Sequence, residues 1–247
     1  MLLVAMIALG TATFAWFTQN TSATADGITV RTSKTSSLKI SDDTRAYAAS
    51  FTYQDVKGVM FPASSIDGKN WYYAYADKTD SYAAKATTIT KVTDLTENKY
   101  VFVDQLNIQN AGEVKVENIT ITVNNWNPEV GYLNMALVPV SNKMTGGDTS
   151  MTAEQFRTSA NIFSDKAEAY YPVSATGTLQ SSTAITPTAK TGDSFTIAVD
   201  DLDPNAEAHY NLFVWFEGQD PDCKDANAGK GVSGMSLTVE GTPKTES

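Results

Sequence analysis

The chain has one cysteine, Cys223, and one histidine, His209. A lone cysteine excludes an internal disulfide, so stability must come from packing or from neighbouring subunits. A lone histidine excludes a His-Glu-x-x-His zinc pair. His209 follows Asn205-Ala206-Glu207-Ala208 at the start of a strand, which reads as an ordinary surface position. Basic residues are also scarce: 18 Lys and Arg against 28 Asp and Glu leave a net charge of −10. The basic stripe that a nucleic-acid partner requires is missing. An acidic chain rich in Thr, Ser, Ala and Asn suits a surface outside a cell. There is no Gly-x-Ser-x-Gly elbow and no phosphate-binding loop. Cys223 lies in Asp220-Pro221-Asp222-Cys223-Lys224-Asp225, where carboxylates oppose formation of a reactive thiolate. These absences argue against an enzyme, and no small-molecule substrate is expected. No cell-wall sorting motif precedes Ser247, so covalent wall attachment is not expected either.

What the chain does have begins at its first residue. Residues 1–17, MLLVAMIALGTATFAWF, are apolar apart from Gly10, Thr11 and Thr13, and carry no charge. A transmembrane helix needs about 20 apolar residues, and this run would span only about 25 Å as a helix. It matches a signal-peptide hydrophobic region, with Thr13-Phe14-Ala15 as a peptidase site and cleavage before Trp16. No Lys or Arg stands in front of it, unlike an ordinary signal. The alternative is retention after removal of a basic leader, as in type IV pilins, although the Glu typical near the start of bacterial pilins is missing. A retained tail of this kind needs cover from a membrane or from another subunit.

The rest reads as strands. Ile28-Thr29-Val30-Arg31-Thr32 alternates after the turn signal Ala25-Asp26-Gly27. Residues 47–82 hold Tyr47, Phe51, Tyr53, Phe61, Trp71, Tyr72, Tyr73, Tyr75 and Tyr82 without long periodicity. They read as an insertion, about 47–90, packed by its aromatics; a sugar-stacking platform at 71–75 is the competing reading. Tyr100, Phe102, Leu106 and Ile108 share one parity, Asn110-Ala111-Gly112-Glu113 is a turn, and Val114 and Val116 follow. Ile119, Ile121 and Val123 then resume on the other parity, which predicts a hairpin with a β-bulge near Asn118. YLNMALVPV at 132–140 is a further strand, with Pro139 marking its edge or end. Thr152-Ala153-Glu154-Gln155 is a capping box flanked by Met151 and Phe156, predicting one short helix at about 152–161. Phe195, Ile197 and Val199 alternate, as do Met235, Leu237 and Val239. Leu212, Phe213, Val214, Trp215 and Phe216 are apolar on both parities, which predicts a strand buried on both faces or facing a partner. Many strands with one helix indicate an all-β, jelly-roll-like antiparallel sandwich, a single domain over residues 33–247. Glu217, Asp220, Asp222, Asp225 and Asn227 are hard oxygen donors in one loop, a candidate calcium site that departs from the EF-hand spacing; a solvated acidic loop competes with it. No other cofactor is expected. Asn20-Thr21-Ser22 and Asn118-Ile119-Thr120 match the glycosylation sequon.

The opening Gly-Thr-Ala-Thr-Phe-Ala-Trp-Phe-Thr, the Thr/Ala-rich segment to Ile28-Thr29-Val30, residues 100–123, the Gly146-Gly147 loop before the capped helix, and the strands flanking 217–231 together carry a resemblance. The chain resembles exported proteins of Gram-positive bacteria of the TasA/camelysin type over about half its length; residues 47–82 have no counterpart. The resemblance implies a jelly-roll subunit of an extracellular, pilus-like or biofilm-matrix fibre, a homopolymer in which an N-terminal strand is donated to the next subunit. The donor here falls within residues 14–32, with residues 18–32 as its strand and Phe14, Trp16, Phe17, Ile28 and Val30 as anchors. No residues match a protease site, so no proteolytic activity is carried over. A secreted carbohydrate-binding module, a type IV pilin-like subunit with a core helix, and a membrane-anchored surface domain are the other expectations.

Overall fold

The computed structural model describes residues 27–32, 37–53, 61–73, 89–93, 95, 100–126, 132–178, 182–192, 194–220, 223 and 235–244. Thirteen strands follow in order: β1 (Ile28–Thr32), β2 (Leu38–Ser41), β3 (Ser50–Tyr53), β4 (Tyr72–Tyr73), β5 (Thr90–Lys91), β6 (Val101–Asn110), β7 (Val116–Asn124), β8 (Leu133–Val140), β9 (Ile162–Ser164), β10 (Thr188–Ala189), β11 (Phe195–Val199), β12 (Glu207–Phe216) and β13 (Ser236–Pro243). Among the described residues one α-helix, α1 (Ala153–Arg157), sits between β8 and β9. One large sheet has the order β11-β7-β13-β1-β3 and the other β10-β9-β8-β12-β6-β2, while β4 and β5 form a separate two-stranded sheet. The protein is an all-β sandwich. From β6 onward the long strands alternate between the sheets, as in a jelly roll. Two pairings are parallel: β1 runs parallel to β13, and the short β10 runs parallel to β9.

Alternation between sheets overturns the expected hairpin. β6 pairs with β12 and β2, whereas β7 pairs with β11 and β13. The turn after β6 carries the chain across the sandwich instead of folding it back. The Asn110 side chain holds that crossing. Its Nδ2 donates to the carbonyls of Val114 and Leu202, and its Oδ1 accepts from the Gly112 amide.

The bulge is where the parity switch places it. Thr120 pairs with Glu240 and Glu117 with Thr242, so β7 has one residue more than β13 over this stretch. Asn118 takes the left-handed conformation, φ 53°, which Asn tolerates better than most residues. The extra residue brings both Val116 and Ile119 to the inner face. They close over Gly241, where a Cβ would lie 2.6 Å from Val116 Cγ1.

The second sheet is covered on both sides. Its inner face packs Phe102, Leu106, Ile108, Leu133, Met135, Leu137, Leu212 and Val214 against Val30, Ile119, Ile121, Val123, Leu237 and Val239 of the first sheet. Its outer face is covered by largely irregular chain and the start of α1, through Trp71, Met151, Phe156, Tyr170 and Ile185. The capping box at Thr152 forms as predicted, with Met151 and Phe156 buried on either side, but α1 stops at Arg157 and a 3-10 turn replaces its continuation. Pro139 lies beyond Asn134–Ala136, the part of β8 that β9 covers, so its missing N–H breaks no ladder there.

Candidate assembly surface

Strand β12 carries the run that is apolar on both parities. Tyr210, Leu212, Val214 and Phe216 point into the core between the sheets, and Phe213 and Trp215 into the outer layer. Leu212, Phe213, Val214, Trp215 and Phe216 are therefore covered by this chain's own residues on both faces. Trp71 stands edge-on to Trp215 at 5.3 Å and to Phe156 at 6.0 Å. It is fully buried and Tyr72 nearly so, which removes their faces from any sugar-stacking platform. Tyr73 stacks on Tyr100 at 4.9 Å, and Tyr75 lies outside the described residues.

Of the proposed subunit anchors, Phe14, Trp16 and Phe17 lie outside the described residues. Ile28 and Val30 are placed. Both are buried in the inter-sheet core of their own chain, in a strand held by β13 on one side and β3 on the other. In this fold they tie the start of the domain to itself and are not offered as anchors to another subunit. Gly27 has φ +39°, and a Cβ there would meet the Tyr53 carbonyl at 2.5 Å. Only glycine lets the chain enter β1 this close to the end of β3.

The loop after β12 is described only at its base; Asp222, Asp225 and Asn227 lie outside the described residues. Glu217 is fully buried. Its Oε2 accepts from Trp215 Nε1 at 3.0 Å and its Oε1 from the Gln219 amide at 2.9 Å, and the Ser64 hydroxyl adds a third bond. Burial pushes its carboxyl up to about 8 against the pull of these donors, with Asp220 adding to the rise. Both oxygens are engaged by protein donors, so Glu217 anchors the outer layer to the end of β12. His209 is more enclosed than an ordinary surface position. Its Nδ1 lies 2.8 Å from Asn107 Oδ1, and its pKa is lowered, chiefly by burial.

A cluster that sequence reading missed is Asp42, Asp43 and Asp104, whose carboxylate oxygens lie within 4.8 Å of one another. Asp42 accepts from the Thr44 and Arg45 amides and pairs with Arg45 Nε at 2.9 Å. Asp43 Oδ2 accepts from the Gly146 amide at 2.7 Å. Asp104 Oδ1 accepts from the Gln105 amide at 2.6 Å. Burial, reinforced by Asp43 and Asp42, pushes Asp104 up to about 7. The available signal was a charge inside an otherwise strand-like run, Val101-Phe102-Val103-Asp104. The same end of the molecule carries a buried polar net: Asn211 Oδ1 accepts from Gln105 Nε2 and the Asp148 amide, and its Nδ2 donates to the Asp148 carbonyl. That net fastens the Gly146-Gly147 loop to the outer face.

The edges of the sheets bear most directly on assembly. The outer side of β3 is capped where Arg45 Nη1 donates to the Thr52 carbonyl at 2.9 Å, with the guanidinium over the Phe51 ring at 5.5 Å. That of β2 is capped by a reciprocal pair of bonds between Ile40 and Ala48. β10 is only two residues long, which itself protects an edge. β11 is five residues long. Among the described residues, nothing but β7 pairs with it. Neither a family model nor a curated protein matches the chain.

Proposed function

We propose that this protein is a structural subunit of an extracellular filament, exported by a Gram-positive bacterium and polymerising head to tail through its N-terminal segment. The observation that carries this reading is the joining of two parts. Residues 1–17 are uncharged and apolar, and such a segment requires cover that water does not give. They precede a sandwich whose inter-sheet core is closed, among the described residues, by strands from Ile28 onward. Burying Phe14, Trp16 and Phe17 in a neighbour would contribute roughly 1.5–3 kcal/mol each, enough to offset ordering of the segment. Contacts between two different surfaces of identical subunits do not close on themselves and so grow. The TasA/camelysin resemblance supports the same reading, and the role involves no catalytic step and no cofactor. Negative-stain microscopy of material shed from cells, with intact mass and N-terminal sequencing, tests it. Fibres built of this chain are expected. Folded monomers at every concentration would overturn the reading and return weight to a binding module.

A further inference from the structure

We propose that the outer layer binds one internal water molecule between the Asn134 carboxamide and the Glu217 carboxyl. Asn134 is the polar residue of β8, whose other members are Leu, Met, Ala, Val and Pro, and it is fully buried. Leu133 and Met135, on either side of it, point into the inter-sheet core, whereas Ala136 and Val138 point into the outer layer. Alternation therefore sets the Asn134 side chain in the outer layer. Neither its Oδ1 nor its Nδ2 has a hydrogen-bond partner among the described residues. A carboxamide offers two donors and an acceptor with two lone pairs, and leaving it unbonded in a buried layer is costly. Folded proteins meet such groups with ordered water.

The register brings the two groups within one water of each other. Trp215 of β12 stands opposite Asn134 on one side and Ser164 of β9 on the other. Glu217 lies on the same face as Trp215, whose Nε1 reaches its Oε2 at 3.0 Å. Its amide continues the ladder to β8 by donating to the Tyr132 carbonyl at 2.8 Å. Diagonal cross-strand neighbours of this kind stand about 7–8 Å apart, less between their side chains. One water joins groups separated by about 5–6 Å, twice a hydrogen-bond length. The adjoining side chains are small: Ser164 beside Asn134, Ala136 along its strand, and Ala63 bridged to Glu217. Donors and acceptors also match. Glu217 receives bonds from Trp215 Nε1, the Gln219 amide and the Ser64 hydroxyl, and Ser64 Oγ is itself engaged by the Val173 amide. Burial raises the Glu217 carboxyl to about 8, with Asp220 the other carboxyl acting on it, so at neutral pH it holds a proton among groups that are themselves donors. The water accepts that hydrogen bond and donates to Asn134 Oδ1. Its second hydrogen goes to Ser164 Oγ, which already donates to the Leu133 carbonyl. With the amide turned over, Nδ2 donates to the same water.

A high-resolution experimental structure of the full chain, from crystals or from fibres, tests the proposal directly. One ordered water within hydrogen-bond distance of both Asn134 and Glu217 is expected. No water at that place, or a direct bond between the two side chains, would overturn the proposal. Thermal denaturation of Asn134→Leu at neutral pH gives a second reading, because leucine has nearly the same size and no polar atoms. A bound water loses its partner in this variant, so the denaturation midpoint is expected to fall. A midpoint that rises would mean that the carboxamide is unbonded in the native protein, since replacing an unsatisfied polar group by an apolar one of similar shape is stabilising, and the proposal would fail. Should the variant not fold, the structure of the unsubstituted chain still decides.

Discussion

The two hydrophobic layers of this protein are built by different rules. The layer between the sheets is largely aliphatic, drawn from strands in which every second side chain points inward. The layer on the outer face of the second sheet is richer in aromatic rings, drawn from loops, one short helix and the alternate residues of β8 and β12. The first follows from the period of the strand. The second follows from tertiary packing of chain that has no period. β12 belongs to both, which is why it is apolar throughout. The outer layer is fastened by polar bonds at its rim, through Glu217 at one end and Asn211 with Asp148 at the other.

The contrast is sharpest if the layers respond separately to damage. Trp71→Ala, which empties the centre of the aromatic layer, is expected to cost about 3–5 kcal/mol. Hydrogen exchange should show the loss at amides of 63–72, with protection retained in β7 and β13. Leu212→Ala, on the inner face of the same sheet, is expected to cost about 2–5 kcal/mol and to lower protection in both sheets together. Identical exchange patterns for the two variants would mean that the layers open as one unit.

Glu217 offers a way to loosen the outer layer without a cavity. The folded protein holds this proton more tightly than the unfolded chain, whose ordinary value is 4.5. Its contribution is therefore fully present below about pH 4.5 and lost as pH rises through about 8. Thermal denaturation from pH 4 to pH 9 is expected to show this decline, and Glu217→Gln to remove that part of it. A slope unchanged in the variant would assign the decline to other groups, Asp104 first among them.

Smaller effects separate the layers further. Gly241→Val places a Cβ against Val116 and Ile119 in the inner layer and is expected to cost about 1–3 kcal/mol by overpacking, read as a lower denaturation midpoint. Thr152→Ala removes the cap of α1 at about 1 kcal/mol. Its effect should be confined to exchange at residues 153–157, leaving the inner layer untouched.

Legibility in the sequence divides along the same line. The strands of the inner layer were readable because burial on one face leaves a period of two, and the bulge at Asn118 because it shifts that period by one. The hairpin expectation failed because alternation reports which face is buried and carries no record of which strand lies alongside. The site reading was partial for a related reason. Residues 212–216 announced two-sided burial, but whether a partner or the chain itself supplies the second cover depends on Trp71 and Phe156, which lie far away in sequence. The cluster of Asp42, Asp43 and Asp104 joins two distant segments across β2 and β6, and only one misplaced charge hinted at it. The edge of β11, unpaired among the described residues, is a property of what is missing beside a strand, to which single-strand patterns are blind.

The parallel pairing of β1 has a mechanical consequence. Tension applied to the segment ahead of Gly27 pulls β1 along its own axis, with β13 bonded on one flank over Thr29–Thr32 and β3 on the other over Ile28–Arg31. Both ladders are then loaded in shear, so their bonds resist together and do not peel one at a time. If subunits join as proposed, a strand placed in this way carries load through Ile28–Thr32, with the sandwich behind it acting as the anchor block.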